Sequence, residues 1–160
     1  MFHVTVLAAG RLKEKYLVQG AAEYLKRLNA HARVDVVEVD DGGFTESLAP
    51  SSREKIKEKE GERLLKRLRP NTYLIALDLN GEVRSSEQMA DVLNKLALNG
   101  RGDITFVIGG SLGLSRGILD RAAMRLSFSK FTFPHQLMRL ILLEQIYRWF
   151  KINRGEPYHK

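Results

Sequence analysis

Short apolar, β-branched runs alternate with amphipathic segments at least four times along the chain, and this alternation constrains the fold more than any other feature. Residues 2–8 form such a run and meet Ala9-Gly10, the pattern of a buried strand ending in a turn. Residues 12–29 space Leu12, Tyr16, Leu17, Ala21, Tyr24, Leu25 and Leu28 three and four apart, which predicts an amphipathic helix. Residues 33–39 predict a second strand, broken at Asp40-Asp41-Gly42-Gly43, with a loop on to Pro50. Ser51 or Ser52 is placed to cap a helix reaching about Arg69. Its dense Lys, Glu and Arg predict a solvated face, with Leu64, Leu65 and Leu68 on the core side. Residues 72–79 predict a third strand closed by Asn80-Gly81. Ser85, with Gln88 three residues on, forms a capping box for a helix through about Leu98. Residues 103–108 predict a fourth strand, followed by a short helix over 115–122 and a short fifth strand over 125–128. Pro134 suits the first turn of a last helix to about Ile152. Helices between strands imply an α/β fold with a mainly parallel sheet. No repeat or linker divides the 160 residues, so a single domain over 1–160 is expected.

Composition narrows the chemistry. The absence of cysteine excludes disulfides, thiol nucleophiles and Cys-ligated metals. No histidine pair has metal-binding spacing, so no metal is expected. No apolar run approaches the roughly 20 residues that cross a bilayer. The first residues lack a signal-peptide pattern, so a soluble cytoplasmic protein without a membrane partner is expected. The net charge is +7, and it is concentrated: residues 121–160 carry eight basic side chains but only Glu144 and Glu156 as acids. Such asymmetry points to a polyanion, and nucleic acid is the natural one.

Four segments carry candidate chemistry. The junction Ile108-Gly109-Gly110-Ser111-Leu112-Gly113 sits at the carboxyl end of a strand, where open α/β sheets bind ligands. It matches neither the dinucleotide fingerprint nor a phosphate-binding P-loop. Leu77 ends the third strand on the same edge. The aromatic turn Phe128-Ser129-Lys130-Phe131-Thr132-Phe133 suits the wall of a pocket for a flat ring. His135 follows Pro134 at a helix start, where the neutral imidazole is favoured; it is either a proton acceptor or a residue satisfied within the capping turn. The last helix is apolar around more of its circumference than one sheet face needs, which suggests a subunit interface. The tail Arg154-Gly155-Glu156-Pro157-Tyr158-His159-Lys160 mixes aromatic and basic groups of the kind that stack on bases and hold phosphates.

Taken in order, Phe106 to Leu114, Leu126 to Arg139, Glu144 to Phe150 and the terminal Tyr158-His159-Lys160 closely resemble one family, and Leu7 to Tyr16 adds to the match. It is the bacterial large-subunit (23S) ribosomal RNA methyltransferase family acting on N3 of a pseudouridine, a small branch of the SPOUT class. The resemblance implies a C-terminal trefoil knot, an S-adenosyl-L-methionine pocket formed by that knot, and a homodimer packed through the last helix. It also implies the ribosome as partner. Carried onto this chain, the cofactor contacts are Leu77, Gly109, Phe128, Ser129, Lys130, Phe131, Thr132 and Phe133. Leu112 departs from the polar residue that relatives often carry, which removes an expected side-chain contact there. The candidates for the N3 proton acceptor are His135, Tyr158 and His159, and Arg139, Arg148, Arg154 and Lys160 are the candidates for RNA phosphates. Two other classes remain open: a non-catalytic ribosome- or RNA-binding module, and a small-molecule enzyme using a nucleotide cofactor.

Overall fold

The structure is a computed structural model describing residues 2–43 and 48–160; the part of the expected loop at 44–47 lies outside the described residues. Five strands, β1 (Phe2–Ala9), β2 (Ala32–Val39), β3 (Tyr73–Val83), β4 (Asp103–Ile108) and β5 (Met124–Ser127), form one sheet in the order β2-β1-β4-β3-β5. Every strand pair is parallel. The helices are α1 (Lys15–Leu28), α2 (Pro50–Lys66), α3 (Ser86–Leu98), α4 (Arg116–Arg121) and α5 (His135–Asn153).

Both faces of the central strands are covered, which is why β1 and β4 read as continuous apolar runs. Alternate residues serve opposite cores. On one face Val4, Val6, Ala8, Ile104, Phe106 and Ile108 pack against α1, α3 and α5, where Leu93, Leu142, Ile146 and Trp149 are buried. On the other face Leu7, Leu74, Ala76 and Val107 meet Leu64 of α2 and Ile118 of α4. α5 lies between α1 and α3 as well as over the sheet. This position occupies Leu142, Leu143, Ile146, Trp149 and Phe150, and so accounts for much of the apolar girdle that suggested a subunit interface. Leu137, Leu140 and Ile141 remain only half-buried.

The elements with strong local signals fall where the pattern puts them. β4 spans residues 103–108, and α3 opens on the expected capping box: the Gln88 N–H donates to Ser85 Oγ at 3.0 Å, and the Ser85 N–H donates to Gln88 Oε1 at 2.8 Å. Three expectations need correction. α2 is not capped by Ser51 or Ser52; it starts at Pro50 in the first turn, where a missing N–H has no helical partner to lose, and it ends at Lys66. Pro134 stands just outside α5, which begins at His135. The third correction matters most for the site. Asn80-Gly81 does not close β3. The strand pairs with β5 at Leu77↔Leu126, bulges outward, and pairs again at Glu82↔Leu126 and Val83↔Ser127. Within the bulge Asp78 Oδ1 accepts the Asn80 N–H at 3.1 Å.

Gly81 makes the return possible. A Cβ there would lie 2.6 Å from the Arg125 carbonyl oxygen, in backbone that has no side chain to swing aside. Gly81→Ala is therefore expected to cost about 1–3 kcal/mol, the range for forced overpacking, measured as a lower midpoint in urea. Gly100→Ala is the control: its Cβ meets nothing within 4 Å, and only its φ of +71° opposes the change.

Candidate functional site

The bulge in β3, the glycine turn after β4 and the segment after β5 meet in one cleft at the carboxyl edge of the sheet. Leu77, Asp78 and Leu79 come from the bulge, and Ile108, Gly109, Gly110 and Gly113 from the turn. Residues 126–129 and Phe131, Thr132 and Phe133 form the opposite wall, and His135 and Met138 close the α5 side. Seven of the eight cofactor candidates thus line one cleft. Lys130 is the exception: it is exposed and lines a neighbouring hollow with Leu79, Asn80, Gly81 and Val83. A lysine ammonium keeps its hydration by turning outward.

The walls are shaped by local bonds. The Ser127 hydroxyl donates to the Ser129 carbonyl at 2.9 Å, and the Phe131 N–H donates to Ser129 Oγ at 3.0 Å. Phe131 is 77% exposed, an aromatic ring at the rim with no protein cover. In the glycine turn the Gly113 N–H donates to the Gly110 carbonyl at 3.0 Å, and Gly113 has φ +83°. A Cβ on Gly109 would lie 2.6 Å from the backbone carbon of Gly113. The smallness of Gly109 therefore serves closure of the turn on itself. Apolar walls from Leu77, Leu126 and the aromatic turn, edged by backbone amides, fit a flat heteroaromatic ring with hydrogen-bonding edges. Among the described residues, no group of three or more His, Asp or Glu side chains is arranged to hold a metal ion.

His135 is half-buried at this cleft. Burial pushes its imidazole below the ordinary histidine range, the Arg139 charge adds to the push, and Asp41 opposes it. The neutral ring that a proton acceptor requires is thus the favoured form. Arg139, expected at RNA phosphates, is instead 2% exposed. It ion-pairs with Glu38 and donates from Nη2 to the Gly10 carbonyl at 3.0 Å. At this depth the guanidinium is turned into the protein and away from the surface a phosphate would approach.

The tail lies apart from the cleft within one chain. The Tyr158 hydroxyl donates to Glu144 Oε2 at 2.8 Å, and Arg148 both pairs with Glu144 and sits 4.8 Å above the Tyr158 ring. His159 bonds to Glu87 and, through Nδ1, to Arg148 at 3.0 Å. Glu144 is nine residues along α5 from His135, roughly 14 Å at the helical rise. The three proton-acceptor candidates are therefore not brought together in a single chain. Burial first, then the bonds with Tyr24 and Glu144, push the Tyr158 phenol upward, which favours its protonated form. Arg154 pairs with Glu156 at 3.0 Å, and Lys160 ends the chain exposed.

One buried group escaped the sequence reading. Glu60, in the helix read as a solvated charged face, is 3% exposed, and its Oε1 accepts the Gly110 N–H at 3.0 Å. The available signal was Gly61 beside it: a mid-helix glycine costs about 1 kcal/mol relative to alanine and implies a packing reason.

With this geometry in place, comparison with known proteins is direct. The family described as "Predicted SPOUT methyltransferase" matches residues 2–159, and the chain belongs to that family. Among curated relatives, the "Ribosomal RNA large subunit methyltransferase H" of Pelotomaculum thermopropionicum is 72% identical over 159 residues, covering 99% of each chain. The protein of the same name from Bacillus pumilus is 52% identical over 158 residues, again covering 99% of each. Among solved structures, a probable methylase family protein from Haemophilus influenzae Rd KW20 aligns with a TM-score of 0.54 at 12% identity, over 99% of this chain and 70% of that one, which is a likeness of fold.

Two predictions follow from the electrostatics. Glu38→Ala strands a buried guanidinium and is expected to destabilise by about 3 kcal/mol, whereas the pair Glu38→Leu with Arg139→Met recovers most of the loss; urea unfolding of the three proteins measures both. The His135 ring is expected to titrate below the ordinary value of 6.5, read by NMR from its ring proton. Because the fold favours the neutral ring, His135 contributes stability at neutral pH, and that contribution is lost as pH falls through its depressed pKa.

Proposed function

We propose that this chain transfers a methyl group from S-adenosyl-L-methionine to N3 of a pseudouridine in large-subunit (23S) ribosomal RNA, on the assembled ribosome in the cytoplasm. The observation that carries this reading is the 72% identity, end to end, with a relative named as a ribosomal RNA large subunit methyltransferase. Residues 1–160 act as one methyltransferase domain, its C-terminal part threaded as a trefoil knot, and two copies pair through α5. The half-buried Leu137, Leu140 and Ile141 support that pairing. No helix among the described residues is long and apolar enough to span a membrane.

When bound, S-adenosyl-L-methionine supplies an electrophilic methyl carbon on a sulfonium. Leu77, Gly109, Phe128, Ser129, Phe131, Thr132 and Phe133 would hold it in the cleft, with the aromatic turn excluding water. Lys130 lines the neighbouring hollow and would join them from the rim. Methyl transfer would form the N3–C bond as the C–S pair returned to sulfur, so the chain's own task would be to align N3 with the methyl carbon and receive the N3 proton. His135 is the residue on the cleft wall whose form suits it to receive that proton. Tyr158 and His159 lie on the α5 face away from their own cleft, so in a dimer they would serve the cleft of the other copy. Arg148, Arg154 and Lys160 would then line the RNA-facing rim.

The test is transfer of a radiolabelled methyl group to ribosomes from cells lacking this modification. The parent protein is expected to label 23S RNA. His135→Ala and a chain ended after Gly155 are each expected to lose about 100-fold or more in rate while still binding cofactor. Ribosome binding without transfer would favour a non-catalytic module. Transfer at full rate by both variants would remove these residues from the site.

A further inference from the structure

We propose that Glu60 is a positioning residue for the cleft, fixing from α2 the glycine turn that forms its β4 wall. The proposal rests on the cleft being the S-adenosyl-L-methionine site and names what holds that site in shape.

The contact is fitted from both sides. Glu60 lies 50 residues from Gly110 in sequence and is buried, and its Oε1 takes the Gly110 N–H at 3.0 Å. A Cβ on Gly110 would lie 3.0 Å from Glu60 Oε2, so the carboxylate occupies the space a side chain there would need. The next residue, Gly61, lets α2 close on the far end of the same segment: a Cβ there would lie 2.7 Å from Ser115 Cβ. Ser115 in turn caps α4, accepting the Ile118 N–H at 3.4 Å. Glu60 and Gly61 thus grip the 110–115 segment at both ends.

The turn needs such a hold. Its own restraints are the Gly113 N–H bond to Gly110 and a single bridge between the same two residues. Glycine-rich backbone is entropically costly to fix, and Gly109, Gly110 and Gly113 all face the cleft. An apolar side chain at position 60 would fill the same space without a directional acceptor. A buried carboxylate is the more costly occupant, and what it adds is orientation of one amide. Burial raises the Glu60 carboxyl, Asp41 adds to that, and the Gly110 bond and Arg63 oppose it.

Three variants test the proposal. Glu60→Gln keeps an acceptor oxygen, Glu60→Leu keeps the bulk without one, and Glu60→Asp keeps the carboxyl group but withdraws it by one methylene. The measurements are calorimetric affinity for S-adenosyl-L-methionine and the hydrogen-exchange rate of the Gly110 amide in cofactor-free protein. Glu60→Leu is expected to weaken binding by about tenfold or more and to speed Gly110 exchange by a similar factor, with Glu60→Gln within about threefold of the parent in both. Glu60→Asp is expected to behave like Glu60→Leu and decides the matter if Glu60→Leu does not fold. Parent-like affinity in Glu60→Leu or Glu60→Asp, or equal loss in Glu60→Gln, overturns the proposal. A parent protein that binds no cofactor overturns the reading of the cleft instead, and Gly110 exchange across the variants then decides whether Glu60 holds the turn.

Discussion

The organisation of the site depends on one buried cation. Arg139 cannot shed its charge and brings several donors into the interior, so acceptors must be built around it. They come from the carboxyl ends of two neighbouring strands: Glu38 of β2 and the carbonyl of Gly10 just after β1. The Lys13 N–H, donating to Gln136 Oε1 at 3.2 Å, adds a second stitch between the same loop and the start of α5. Apolar packing holds the body of α5 and is indifferent to small slides along its axis. These directional bonds are not, and they set the axial position of the helix start. His135 stands one turn before Arg139 and Met138 directly before it, so the α5 wall of the cleft is placed by a charge the ligand never meets.

What was legible in the sequence was whatever is decided by neighbours in the chain. The apolar runs of β1 and β4, the Ser85–Gln88 capping box and the glycine turn at a strand end are local statements, and they hold. Asn80-Gly81 was also read locally, as a stop, but pairing with β5 carries β3 past it, and the dipeptide becomes a bulge. Ser51 and Ser52 were good caps in isolation, yet Pro50 starts α2 ahead of them. The larger misreadings concern charge. Arg139 and Glu60 look like surface residues by type, and the partners that make their burial tolerable lie 101 and 50 residues away. No window of sequence contains both members of either pair. The separation of the tail from the cleft is hidden for the same reason, since it depends on Glu144 and Glu87 capturing Tyr158 and His159.

The basic character of the last quarter changes meaning accordingly. Its excess of positive charge is real in composition, but Arg139, Arg148, Lys151 and Arg154 are paired to Glu38, Glu144 and Glu156. Arg125 is paired with Asp120 at 3.4 Å. A polyanion approaching this surface meets partly neutralised pairs that must exchange one acidic partner for another. Exposed pairs of this kind are individually weak, so each is held loosely against a competing anion.

The bulge in β3 has a second effect, at the scale of molecules meeting one another. β5 is one of the sheet's two edge strands, β2 being the other, and a free parallel edge is a template on which another chain can pair. Here that edge is four residues long, and its partner strand leaves and rejoins it across the bulge at residues 78–81. On this side of the sheet the straight row of amides and carbonyls offered to an incoming strand is short. The irregularity that opens the cleft thus also keeps this border of the sheet short, and the border that faces the site is a poor template for strand addition.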